Sequence, residues 1–78
     1  MEIQEFIKNI LAAFDDVPHL ELEPTSNLRS IEGWNSMHVL LLVAMIDIEY
    51  QVLLSGEELK NVTTVQALFT LVKQRRGE

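Results

Sequence analysis

Ser36 and two histidines, His19 and His38, are the side chains of this 78-residue sequence best equipped for covalent or acid–base chemistry. Ser36 stands in Gly33-Trp34-Asn35-Ser36-Met37, after a long polar stretch and at the head of the most apolar helical segment. A hydroxyl there is held by a regular element yet open to solvent. Hydrolysis would require a base within hydrogen-bond reach of it. His38, two positions on, lies about 200° round the same helix and cannot take the Ser36 proton. His19 could approach from the loop, but Gly33-Trp34-Asn35-Ser36 does not form a glycine–x–serine–x–glycine elbow. Serine hydrolysis is therefore set aside, and both histidines are expected to be solvated.

Metal chemistry has no better footing. Asp15 and Asp16 are adjacent at a helix end, and Asp47 and Glu49 face different ways on a helix. Neither pair has the spacing of a calcium loop or a histidine–glutamate zinc helix. The three glycines are isolated, so no glycine-rich phosphate loop exists, and there is no cysteine for a disulfide or thiolate site. What remains is a serine at a helix start, where free amides and the positive end of the dipole favour an attached phosphate. Taken locally, Ser36 is equally consistent with an ordinary first-turn residue beside an Asn35 cap.

The elements that position Ser36 can be read from periodicity. Ile3, Phe6, Ile7, Ile10, Leu11 and Phe14 form one apolar helical face, which predicts a first helix over 2–16, closed by Pro18. Residues 17–35 have no clear period, and Leu20, Leu22, Leu28, Ile31 and Trp34 are placed to pin them to the core. A second helix is predicted from Ser36 to Tyr50 or Gln51, with two apolar stripes. Val39, Val43, Ile46 and Tyr50 make one; Met37, Leu41, Ala44 and Ile48 make the other, nearly opposite. Such a helix is central in its fold or keeps one stripe for a partner. His38 and Glu49 mark one polar seam between the stripes, and Asp47 and Gln51 the other.

Ser55-Gly56-Glu57-Glu58 has the form of a capping box and predicts a short helix over 56–61. Thr63-Thr64-Val65-Gln66 repeats the box with glutamine and opens a last helix over 64–75, buried through Val65, Leu68, Phe69 and Val72. Lys73, Arg75 and Arg76 suit its negative end. The expectation is one all-α domain over 1–78, a small four-helix bundle with a long first loop and a short third helix.

A net charge of −6 repels phosphate backbones and argues against nucleic-acid binding. The charge is uneven: residues 1–23 carry six acids against Lys8, and residues 57–78 carry three acids against four bases. The longest apolar run, Val39 to Ile46, falls short of the roughly 20 residues that span a bilayer. With the acidic start Met1-Glu2-Ile3-Gln4-Glu5, which is unlike a signal peptide, this leads to the expectation of a soluble cytoplasmic protein without membrane contact.

At Gly33-Trp34-Asn35-Ser36-Met37 the sequence resembles the acyl carrier protein family, including peptidyl and D-alanyl carriers. Those carriers show aspartate–serine–leucine at the start of the second of four helices. The resemblance runs on through the long first loop, Glu49-Tyr50-Gln51-Val52, the short third helix and Val62-Thr63-Thr64-Val65. It implies a stand-alone, non-enzymatic carrier with a 4′-phosphopantetheine arm on Ser36, attached from coenzyme A by a phosphopantetheinyl transferase. Such a phosphoprotein holds its cargo as a thioester and serves fatty acid or secondary metabolite biosynthesis. Its partners would be an acyl- or aminoacyl-activating ligase and acyl-transferring enzymes. By the same resemblance Val39, Val43, Ile46 and Tyr50 face the core, whereas Met37, Leu41, Ala44 and Ile48 face outward. Met37 and Leu41 would then lie beside the arm in the transferase and partner footprint. Asn35, the cap of the second helix, would join Met37, Leu41, Ala44 and Ile48 in partner binding.

Two departures separate this sequence from the family pattern. Asn35 replaces the usual aspartate, keeping the cap geometry but lacking a charge that could assist transferase docking. The second helix carries only Asp47 and Glu49 as acids, where the family is often strongly acidic. Together they suggest a specialised carrier that meets a dedicated partner through apolar contact. A carrier-fold interaction domain that is never modified is the alternative. Fatty, hydroxy, amino and aromatic acids are all compatible as cargo.

Overall fold

Helix α1, Ile3–Ala13, buries Phe6, Ile7 and Ile10, the face its i, i+3, i+4 spacing dictates. A computed structural model describes residues 1–17 and 19–78. The helix ends at Ala13, three residues short of the expected boundary. Phe14 leaves the helical conformation (ψ 60°) and turns its ring into the core at 1% exposure. Its N–H still donates to the carbonyls of Ile10 and Leu11. Burying that ring outweighs continuing a helix whose next residues, Asp15 and Asp16, are exposed. The helix-closing role expected of Pro18 lies outside the described residues.

The long loop is fastened at two places. Leu28 and Ile31 are buried, and between them runs a 3-10 turn, Leu28–Ser30, whose Asn27 side chain accepts from the Arg29 N–H at 2.9 Å. That turn was not legible in the sequence. The loop also meets the start of the last helix, α4 (Val65–Arg76). Leu28 N–H donates to Thr63 O at 2.9 Å, Val65 N–H to Ser26 O at 3.1 Å and Gln66 N–H to Pro24 O at 2.8 Å. The Thr64 hydroxyl takes the Ala67 N–H at 3.1 Å. The orphan amides of α4 are thus satisfied by the loop and by its own cap. Thr64 is the cap rather than Thr63, and the Gln66 side chain bonds Thr70 instead of reaching back.

Helix α2 spans Ser36–Tyr50 and packs against α1, α4 and the short α3, Gly56–Lys60. In the segment joining α2 to α3, Val52 and Leu54 are buried and Leu53 between them is exposed. The capping box of α3 is present in both directions: Glu58 N–H to the Ser55 hydroxyl and Ser55 N–H to Glu58 Oε1, each 3.2 Å. In the core, the Phe6 ring lies 5.6 Å from Tyr50 and 5.4 Å from Phe69, centroid to centroid. Burial pushes the Tyr50 phenol above its ordinary pKa, and its oxygen accepts from Asn9 Nδ2 at 2.8 Å. All four helices of the bundle are therefore present, and no strand occurs among the described residues. No helix is long and apolar enough to cross a membrane.

The expected orientation of α2 is corrected by about 60° of rotation. Its buried residues are His38, Leu42, Met45, Ile46 and Tyr50, and Val39 and Val43 are only half-buried. An apolar run on every side gives this helix almost no directional preference, so its neighbours decide which residues go inward.

Candidate functional site

Asn35, with extended backbone, caps α2 and leaves Ser36 as its first, exposed residue. Asn35 Oδ1 accepts from the Met37 N–H at 2.8 Å, and its Nδ2 donates to Gly33 O at 3.0 Å. Gly33 holds φ at +78°, a left-handed turn that glycine enters without strain. Both ends of the Asn35 amide are therefore used. An aspartate could repeat the first bond but has no N–H for the second.

His38 is the functional-site residue that sequence reasoning misplaced. Far from being solvated, it is 1% exposed. Its Nδ1 accepts from the Asn35 N–H at 3.1 Å and its Nε2 lies 3.0 Å from Asp16 Oδ2. Since a backbone N–H can only donate, Nδ1 must be the acceptor, and the proton sits on Nε2 facing the carboxylate. The ring is stacked on Trp34 at 14° and 5.4 Å and meets Phe14 edge-on at 4.9 Å. At the third helical position, His38 does what glutamate or glutamine does in a capping box. That position, three residues after Asn35, was the available signal. With both nitrogens occupied, His38 has no lone pair for Ser36, which adds a geometric reason against a catalytic serine.

Of the other predicted site residues, Met37 is 58% and Ile48 74% exposed, and Ala44 is exposed. Leu41 is half-buried rather than outward, because it lines a groove of about 310 Å³ between α1 and α2. Ala12, Ala13, Ala44 and Ile48 share that groove. Leu40, not assigned to the outward stripe, is 62% exposed and belongs to it. His19 is exposed. No group of three or more His, Asp or Glu among the described residues is placed to hold a metal ion.

The first turn of α2 leaves one backbone amide open to a phosphate ester. Met37 N–H is taken by Asn35 Oδ1, and His38 N–H by Asn35 O at 3.0 Å. The Ser36 N–H has no acceptor among the described residues, and it lies at the positive end of a 15-residue helix. An exposed hydroxyl beside an unengaged amide there fits a phosphodiester.

A small helical bundle that offers a serine at the head of its central helix defines a carrier-type scaffold. Residues 5–72 match the family model described as "Phosphopantetheine attachment site". The chain belongs to that family, whose members carry a covalently attached 4′-phosphopantetheine group and are generally not catalysts themselves. No curated protein and no solved structure matches the chain.

Proposed function

We propose that the chain is an acyl or aminoacyl carrier whose Ser36 Oγ is the point of attachment for 4′-phosphopantetheine. The observation that carries this is the exposed Ser36 hydroxyl at the first position of α2, directly after the Asn35 cap. The attached group supplies a thiol that holds cargo as a thioester. The chain's own part is presentation. Asn35 fixes the first turn, His38 holds the Asn35 amide and ties it to Asp16, and the helix end offers a favourable field for the phosphate.

Partner contact is assigned to Asn35 and to the stripe of Met37, Leu41, Ala44 and Ile48, with Leu40 added. The partners are a phosphopantetheinyl transferase, an acyl- or aminoacyl-activating ligase and acyl-transferring enzymes. Large apolar side chains left open along one helix face are uncommon without such a role. The stripe lies beside Ser36, so a docked enzyme would cover helix and attachment point together.

The test is incubation with coenzyme A and a broad-specificity transferase, followed by intact-mass measurement. A mass gain in the wild type that is absent from Ser36→Ala supports the reading. No gain with several transferases, including those of the same genome, overturns it in favour of an unmodified interaction domain.

A further inference from the structure

On the opposite flank of α2 from the apolar stripe lies a groove of about 460 Å³ lined by Arg29, Trp34, Val39, Leu59 and Lys60. Its charge is anomalous for this protein. The chain has twelve acids and six bases, yet this groove holds two bases and no acid. Three other grooves each include a carboxylate: Asp16, Glu21 and Glu32 in the widest, Glu49 beside α1, and Glu21 under the loop.

Of the two basic groups, Arg29 is fixed in place. Arg29 leaves the 3-10 turn, and its Nη2 donates to Leu59 O at 3.5 Å and also to Lys60 O. These carbonyls are at the C-terminal end of α3, where a cation is favoured. A guanidinium has further N–H donors, and no other side-chain contact engages them among the described residues. Lys60 Nζ lies 3.7 Å from Glu57, an exposed i, i+3 pair too weak to hold it there. Trp34 and Val39 fall within three residues of Ser36, whereas Arg29 and Lys60 arrive from the loop and α3. The groove therefore starts apolar at the Ser36 turn and ends cationic.

We infer that this groove receives the distal end of the cargo borne through Ser36 and selects acyl groups that terminate in a carboxylate. This rests on Ser36 being the attachment point. The methylene part of the cargo lies on Trp34, Val39 and Leu59, and the carboxylate pairs with Arg29 and Lys60. Tethering makes a weak site sufficient, because a short flexible link holds its end at millimolar effective concentration. The three other grooves, each with a carboxylate, repel such a group.

The experiment loads the protein, through a transferase, with two acyl groups of equal length: one ending in a carboxylate, one in a methyl. Intact mass verifies loading. Emission of Trp34, the only tryptophan, and the amide NMR shifts of Leu59 and Lys60 report docking. The docked-to-free ratio is expected to be about threefold to tenfold higher for the carboxylate-ended group, the range one or two partly exposed ion pairs give. Lys60→Gln should remove most of that preference and Lys60→Glu reverse it, with thermal unfolding unchanged in both. Equal responses to the two cargos, no response to either, or a preference that survives both variants overturns the inference. Absence of any Ser36-dependent loading is a different failure, one of the attachment reading, and the inference falls with it.

Discussion

The two flanks of α2 are alike in sequence and unlike in structure. Val39 and Ile48, nine positions apart, lie about 180° from one another around the helix, and both are aliphatic. On the α1 side, Leu41, Ala44 and Ile48 meet Ala12 and Ala13 and form a shallow apolar surface. On the α3 side, Val39 meets Trp34 and Leu59, and Arg29 and Lys60 close the groove. The difference comes entirely from the neighbours. Alanines on α1 leave room for a partner to approach, whereas the loop and α3 bring a ring and two cations. One helix can thus serve two contacts because different elements complete each side.

The two flanks exist only with α2 rotated as it is, and substitutions on its buried and open faces should differ most in their cost. Leu42→Ala, at a side chain 1% exposed, should cost about 2–5 kcal/mol in urea unfolding. Leu40→Ala, two residues away and 62% exposed, should stay within about 0.5 kcal/mol. Equal costs would mean that the helix is turned otherwise and that the flanks are wrongly drawn.

His38 lies beneath both flanks and ties the Ser36 turn to the end of α1. Its replacement by alanine removes buried ring packing and leaves the Asn35 N–H without an acceptor, for an expected loss of about 2–4 kcal/mol. His38→Gln can still accept from that N–H as a capping-box residue and should recover part of the loss. No recovery would assign His38 to packing alone.

The flanks should separate functionally. Ile48→Glu is expected to slow transfer to or from a partner enzyme about tenfold, the worth of an interface contact of about 1.4 kcal/mol, with stability unchanged. Lys60→Gln should leave that step alone. Should both variants affect the same step equally, the two surfaces are one footprint.

A smaller effect sharpens the base of the helix. Gln51 ends α2 at φ +59°, a left-handed position that carries a cost for any residue with a Cβ. Gln51→Gly should stabilise the fold by about 0.5–1 kcal/mol, read from the unfolding midpoint.

The Ser55 backbone N–H, with help from Arg75, holds the Glu58 carboxyl below its ordinary pKa. A lowered folded value means that the unfolded chain takes up the proton first as pH falls. The associated stability is present above the unfolded value of about 4.3 and is lost as pH drops through the folded one. The protection of α3 amides, taken relative to their intrinsic exchange rates, should therefore fall slightly in acid before that of α1, and Glu58→Gln should flatten the dependence.

Much of the fold was legible because its signals are local. Phe6, Ile7 and Ile10 fix the buried face of α1, and Ser55 with Glu58 fixes the start of α3. Leu28 and Ile31 show why apolar residues in an irregular loop pointed to a pinned one. The cap of α4 was misplaced by one residue because Thr63 and Thr64 are chemically equal. Only the pairing of the loop with Thr63 O chooses between them. His38 was misplaced because its position three residues after Asn35 marks a capping role but not burial. Its partners, Asp16, Trp34 and Phe14, converge only when the loop folds back.

By itself, the sequence determined that Ser36 heads a capped apolar helix, since capping and periodicity act within a few residues. It also determined the number of helices and, through the family pattern, the class of prosthetic group. Tertiary structure alone decided which way α2 turns, because a helix apolar all round has no preferred face of its own. It alone decided that His38 is buried against Asp16, and that two of the six basic side chains of an acidic chain line one groove beside the Ser36 turn. Those outcomes depend on long-range contacts, whose energies exist only once distant segments have been brought together.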